Sequence, residues 1–170
     1  MKPPQRRSIL LAAGVGIVSI SLAAFVRWPI CLFYNPSESA PRGWYVQRPL
    51  HDLKPGMRVF ARLPPTAAQL AGQRGYLPMH LPLLKQIGAM EGQVVCVRSG
   101  VVRIDGRTIA IVRSHDGRGR PLYPWAGCRP LAHGEVFLLT SHSHASFDSR
   151  YLGPVRREAI LGEAVPSWTW

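Results

Sequence analysis

The chain's pattern predicts a mostly β domain preceded by a single membrane-crossing helix. Three observations carry this expectation. Residues Ser8 to Val26 (SILLAAGVGIVSISLAAFV) run without a charge. The rest of the chain is built from short β-branched or alternating runs. Turn signals separate those runs, in a chain with 16 Gly and 16 Pro, a composition that disfavours long helices. No segment repeats at a solenoid period.

An apolar stretch of about 18 or more residues can cross the hydrocarbon core as a helix. Lys2, Arg6 and Arg7 precede the run and Arg27 comes directly after it. The positive-inside rule then leaves the N-terminal tail in the cytoplasm and exports the chain beyond the helix. The expected division is residues 1–27, tail and anchor, and residues 28–170, an exported domain. A cleaved secretory signal is the rival reading. Its apolar region is usually about 7–15 residues and ends in a small-x-small site, and AAFVRWP offers no clean one. A buried core helix fits poorly, because the segment is apolar on every face.

Three cysteines remain, Cys31, Cys96 and Cys128, and an odd count leaves one over. Cys31 sits at the membrane exit. Cys96 and Cys128 lie in the exported part, where disulfides persist, so these two are expected to pair. Three free thiols are the alternative.

Along the exported part, residues 28–43 read as a Pro-containing connector. Gly43–Arg48 and Met57–Leu63 read as strands, Thr66–Gln73 as a short helix and Leu83–Ala89 as a strand. Next comes GQVVCVRSGVVRIDGRTIAIV, with β-branched runs broken by Ser99-Gly100 and Asp105-Gly106. Asp-Gly between alternating apolar residues is a strong hairpin signal. Val136–Thr140 reads as a buried strand and Ala159–Ala164 as a final edge strand. Short strands and tight turns suggest a barrel or a folded antiparallel sheet.

The formal net charge is +12. The arginines are scattered, the densest group being Arg113, Arg118 and Arg120 in a Gly-rich loop. No basic and aromatic residues interleave as a platform for stacked bases would need. The expected partner is therefore anionic lipid rather than nucleic acid, with the arginines forming a solvated surface.

Three segments could carry chemistry. In NPSESAPRGWY, Ser39 lies in a tight, Pro-limited turn. Such a turn can aim a hydroxyl and a backbone N–H at one point, as a nucleophile with an oxyanion donor requires. In LLKQIGAMEGQVV, Lys85 is a lone lysine in an apolar run. Burial disfavours its charged form and would make it a general base, a role Arg cannot fill. SHSHASFDSRYLGPV follows a buried strand and carries Asp148, Ser149 and Arg150 together, where Asp148 beside Arg150 reads as an ion pair. His142 and His144 form a His-x-His pair without a clear third ligand, so no metal is expected.

In this order the segments resemble the serine/lysine signal peptidase family, type I, and within it the TraF-type peptidases of conjugative transfer systems. Asn35, Ser37, Ser39, Pro41, Gly43 and Tyr45 match the nucleophile segment. Lys85 and Gly92 match the base segment, although Gln86 stands where a basic residue is common. Ser146, Asp148, Ser149, Arg150, Tyr151 and Gly153 match the last. The resemblance implies Ser39 as nucleophile and Lys85 as general base. Ser37 and the Ser39 N–H would form the oxyanion hole, and Ser146 would orient Lys85. Asp148, paired with Arg150, would hold the site together. Many members carry Met after the nucleophile. Here it is Ala40, at a position expected to lean toward membrane or substrate.

The function so implied is that of a single-pass protease of the bacterial inner membrane with its catalytic domain in the periplasm, working as a monomer without a cofactor. Its substrate would be an exported protein precursor. In the conjugative branch that means pilin maturation within type IV secretion, ending in hydrolysis or head-to-tail cyclisation. A general leader-removing signal peptidase is the alternative enzyme, and a basic periplasmic scaffold is the non-enzyme alternative.

Overall fold

The computed structural model describes residues 3–25, 32–140, 143 and 145–170. Val26, Trp28, Pro29, Cys31, His142 and His144 lie outside the described residues. The chain divides into two compact units, Met1–Ile30 and Cys31–Trp170.

The first unit is helix α1, Pro3–Phe25. Its described side chains face solvent, among them Leu10, Leu11, Val15 and Val18. Among the described residues, no helix is long and apolar enough to cross a membrane.

The second unit is two antiparallel sheets. In chain order the elements are β1 (Leu32–Asn35), β2 (Gly43–Arg48), β3 (Arg58–Ala61), α2 (Pro65–Gln73), β4 (Leu83–Met90), β5 (Val94–Arg98), β6 (Val101–Ile104), β7 (Arg107–Ile111), β8 (Gly127–Pro130), β9 (Glu135–Leu139), α3 (Ser149–Leu152), β10 (Val155–Arg156) and β11 (Ile160–Thr169). Seven strands form one sheet in the order β1-β2-β11-β3-β4-β9-β10, and four form the other in the order β7-β6-β5-β8. The Asp105-Gly106 turn joins β6 to β7, with φ of 49° and 80°, as the sequence pattern expects. Cys96 faces Cys128 across β5 and β8, and the two are disulfide-bonded.

Residues of both sheets share one apolar core, including Ala89, Val95, Val102, Phe137 and Leu139. A second cluster gathers Val59, Ile87 and Leu138. A third joins Ala40, Tyr45, Phe60, Leu84 and Ala164 under the loop after β1.

Two features differ from the sequence reading. The C-terminal strand is not an edge: β11 lies between β2 and β3. It pairs with β3 through Ile160–Glu163 and with β2 through Glu163–Thr169. Pro166, which lacks the N–H a central strand needs, falls past the last residue paired to β3. It sits beside a register shift between Pro166 and Trp168. The connector also contains a strand. β1 pairs with β2 in a register that sets Asn35 opposite Gly43, so residues 36–42 become a closed loop at one end of the sheet.

Candidate active site

The 36–42 loop is held from both ends by its own side chains. Asn35 is buried, and its amide nitrogen donates to the carbonyls of Ser37, Ala40 and Pro41 at 3.0, 3.1 and 3.2 Å. Its Oδ1 accepts from the Ser37 amide at 3.2 Å and the Ser37 hydroxyl at 2.8 Å. Tyr45 is fully buried and donates its hydroxyl to the Pro41 carbonyl at 2.8 Å. Burial pushes the Tyr45 phenol above its ordinary pKa, with Arg58 opposing. Gly43 has φ 139°, and a Cβ there would lie 2.1 Å from the Trp168 carbonyl oxygen, so only glycine fits where the loop re-enters the sheet. Ala40 is buried in the core beneath the loop. The expectation that it leans toward membrane or substrate is therefore corrected: the tight loop turns its methyl inward.

Ser39 and Ser37 stand on this loop with their hydroxyl oxygens 2.8 Å apart. The single Ser37 proton goes to Asn35 Oδ1, so Ser39 is the donor of that pair. The Ser39 amide reaches Ser37 Oγ only at 3.5 Å, a marginal bond that leaves it free for another acceptor. The Ser39 carbonyl accepts from the Thr140 hydroxyl, which ties the loop to the end of β9.

Lys85 sits on β4, an interior strand, opposite Val59 of β3. Its side chain is buried, 5% exposed, the third of three successive buried residues that open the strand. Desolvation brings its pKa from 10.5 down to about 8. The Asp148 charge works against that fall and the Arg150 charge with it.

Asp148 and Arg150 are both fully buried. Asp148 caps α3 and accepts from the Arg150 amide at 3.1 Å. The Arg150 Nε and Nη2 reach its two carboxylate oxygens at 2.8 Å each. Other guanidinium hydrogens go to the carbonyls of Ile111 and Ser143, at 3.1 Å each. Arg150 thus links the smaller sheet to the segment after β9. Ser149 accepts from the Leu138 amide at 2.9 Å, locking α3 to β9. Gly153 closes this segment with φ 74°, against the Trp125 ring. Ser146 is buried, and among the described residues its hydroxyl has no hydrogen-bond partner.

One cavity of about 670 Å³ is lined by Ser37, Ser39, Lys85 and Ser146. Asp148 and Arg150 do not line it; they lie in the protein behind it. Ser39 Oγ is bonded to Ser37 in this state rather than to Lys85. Thr140 has no signature in the sequence, since a threonine ending a buried strand is ordinary. Arg118 and Arg120, expected on a solvated surface, line the same cavity. Among the described residues no cluster of His, Cys, Asp or Glu could hold a metal ion.

The sequence compares closely with known proteins. The family model "Signal peptidase, peptidase S26" matches residues 6–170. Conjugal transfer protein TraF of Agrobacterium tumefaciens (strain 15955) is 35% identical over 176 residues, covering 97% of this chain and 97% of that protein. A plasmid transfer protein TraF of Escherichia coli is 27% identical over 173 residues, covering 96% of this chain and 90% of that protein. A signal peptidase I structure from Enterococcus faecalis V583 aligns at TM-score 0.40 and 14% identity, over 67% of this chain and 97% of that one. A match spanning nearly the whole chain, with a relative at 35% identity over almost the same length, makes this protein a member of the signal peptidase family, peptidase S26.

Proposed function

We propose that this protein is a membrane-anchored endopeptidase working through a Ser39 nucleophile and a Lys85 general base. The observation that carries the reading is a buried lysine lining the same cavity as Ser39, where desolvation lowers its pKa to about 8. At neutral pH a useful fraction of Lys85 is then the free amine, which can take a proton.

The steps follow from the residues. The Ser39 hydroxyl turns from Ser37 to Lys85, and its oxygen bonds to the scissile carbonyl carbon as the proton passes to Nζ. The carbonyl π electrons move to oxygen. The Ser39 amide stabilises that oxyanion, joined by Ser37 once its hydroxyl turns from Asn35. Lys85 next returns the proton to the leaving amine as the C–N bond breaks, leaving an acyl ester on Ser39. A water, deprotonated by Lys85, releases the acid. An amine in place of water would join two chain ends by the same route. The unpartnered Ser146 hydroxyl is suited to receive a hydrogen bond from Nζ and aim it.

Membrane anchoring is proposed for α1, from its apolar, solvent-facing side chains and the basic residues flanking it. The substrate class proposed is an exported precursor in a conjugative transfer system, such as a pilin subunit. The support is that relatives are named conjugal or plasmid transfer proteins. The test is precursor processing in cells carrying Ser39→Ala or Lys85→Ala. Unchanged processing by either variant removes the dyad. A transfer-system precursor and an ordinary leader-bearing protein, offered side by side, separate the two substrate readings.

A further inference from the structure

The cavity that holds Ser39 and Lys85 has a second, chemically distinct stretch of wall. Arg74 from the residue after α2, and Arg118 and Arg120 from the loop between β7 and β8, line it together with Asp116 and Tyr76. Of these three arginines only Arg120 pairs with Asp116, and the cavity's other carboxylate, Glu38, is paired with Arg42.

The hydrogen bonds show how that wall is held. Asp116 Oδ1 accepts from the amides of Arg118 and Arg120 at 2.9 Å each, which curls the loop around it. Its Oδ2 accepts from Arg120 Nε at 2.7 Å and from the Tyr76 hydroxyl. Arg120 Nη2 donates to the Arg74 carbonyl at 3.0 Å, and Arg74 Nη1 donates to the Pro121 carbonyl at 2.8 Å. These bonds clasp the α2 segment to the loop. Burial opposes the Asp116 charge, but the Tyr76 hydroxyl, the two amides and Arg120 hold the carboxyl well below the usual range. Asp116 is thus committed to the clasp. Among the described residues, Arg74 meets only carbonyl and hydroxyl oxygens. The Arg118 side chain is exposed and forms no ion pair with a carboxylate among the described residues.

The basic wall lines the same cavity as the proposed chemistry. Phe147 is the next residue after Ser146, and its ring lies 5.4 Å from that of Tyr76. A peptide lying in this cavity across Ser39 would therefore pass the arginines within a few residues of the cut.

We infer that Arg74, Arg118 and Arg120 form a specificity subsite for a carboxylate on the substrate peptide, close in sequence to the scissile bond. The inference rests on the peptidase reading above. A guanidinium paired to a carboxylate in a partly enclosed site is worth about a tenfold preference. The arginines clustered in the Gly-rich loop would then select substrate rather than decorate a solvated surface.

The test uses the full-length protein in detergent and two series of short alanine-rich peptides. One Glu is walked through the first series, and Gln replaces it in the second. The wild type is expected to cleave Glu peptides about tenfold faster in kcat/KM at one position or two adjacent ones. Arg118→Glu should abolish or reverse that preference, read as the ratio of Glu to Gln kcat/KM within the variant itself. High salt should shrink the preference. Peptides with free or amidated C-termini tell a side-chain carboxylate from a terminal one. Equal kcat/KM for Glu and Gln at every position overturns the subsite, as does an undiminished Glu preference in Arg118→Glu. If cleavage survives in Ser39→Ala, the peptidase reading falls instead. Calorimetric binding of the same peptides to that variant still decides the subsite, with equal affinity for Glu and Gln counting against it. Phosphatidylglycerol vesicles bound by the wild type but not by Arg118→Glu, with no peptide preference, would assign the wall to lipid and overturn the proposal.

Discussion

Arg150 covers both carboxylate oxygens of Asp148 at 2.8 Å, with neither side chain exposed to solvent. This pair acts on Lys85 in opposite directions, beneath the larger effect of burial. Asp148 alone would favour the lysine's charged form, but the guanidinium offsets it. Desolvation is the largest of the three influences and lowers the amine's pKa to about 8.

Loss of either dyad member should abolish processing without unfolding the protein. Lys85→Arg is expected to be as inactive as Lys85→Ala, because a guanidinium keeps its proton at any working pH. Circular dichroism checks the fold and precursor cleavage reads the activity. Appreciable turnover by Lys85→Arg would mean that only charge is needed at this position.

The pH profile should track the same amine. In the proposed mechanism the free base is the active form, so kcat/KM should rise with pH and level off above about 8. A profile with no inflection near that pH would argue against Lys85 as the base.

Stability should show the opposite face of this burial. The folded-state pKa lies below the unfolded one, so below about 8 the folded protein bears the full cost of a buried ammonium. That cost fades as pH rises from about 8 to 10.5. Lys85→Met should therefore be more stable at neutral pH by up to about 3 kcal/mol, an advantage that vanishes toward the upper end of the window. Urea unfolding of both proteins across this range measures it. A constant difference at all pH values would point to packing alone.

Breaking the buried pair should be costly. Asp148→Ala leaves an uncompensated guanidinium and should destabilise by about 3–5 kcal/mol. It also frees the tie from α3 to Ile111 and Ser143. Denaturation midpoints give the number, and a loss under about 1 kcal/mol would show that water reaches Arg150.

The Cys96–Cys128 bond spans 32 residues. In the chain-entropy model, closing such a loop contributes about 3–4 kcal/mol. Unreduced peptide mapping should recover the linked pair, and Cys96→Ala should lower stability by about that amount. Free thiols at both positions in exported protein would contradict it.

Anchoring should matter for embedded substrates above all. Ser39 lies about 13 residues past Val26, no more than about 45 Å of extended chain. Tyr34, Trp44, Trp168 and Trp170 are exposed on the domain, with Tyr34 ring-to-ring 5.2 Å from Trp44 and 6.2 Å from Trp170. Such rings favour a bilayer interface. Deleting residues 1–27 should spare cleavage of a short soluble peptide and cut cleavage of a membrane-embedded precursor. Equal loss on both would give the segment a folding role.

Much of this molecule could be read along the chain. Local rules act over a few residues. Asp105-Gly106 therefore announced its hairpin, Leu83–Ala89 its strand and Thr66–Gln73 its helix. Lys85 stood out because a lone lysine among Leu and Ile is conspicuous before any fold is known. The motif residues Gly43, Tyr45 and Gly153 were visible too, but their reasons were not. Each answers to an atom distant in sequence or fixed by the loop's closure: the Trp168 carbonyl, the Pro41 carbonyl and the Trp125 ring. Non-local pairing accounts for the rest. Ala159–Ala164 reads as a final edge strand, and β11 becomes central only when β2 and β3 both pair with it. Ala40 turns inward because the loop above it closes. Arg118 and Arg120 read as scattered surface charge, since nothing local says that Asp116 will curl their loop against Tyr76, 40 residues earlier. Pattern is inherited from neighbours in the chain, whereas the inside of a cavity is made by residues that meet only when the sheets close.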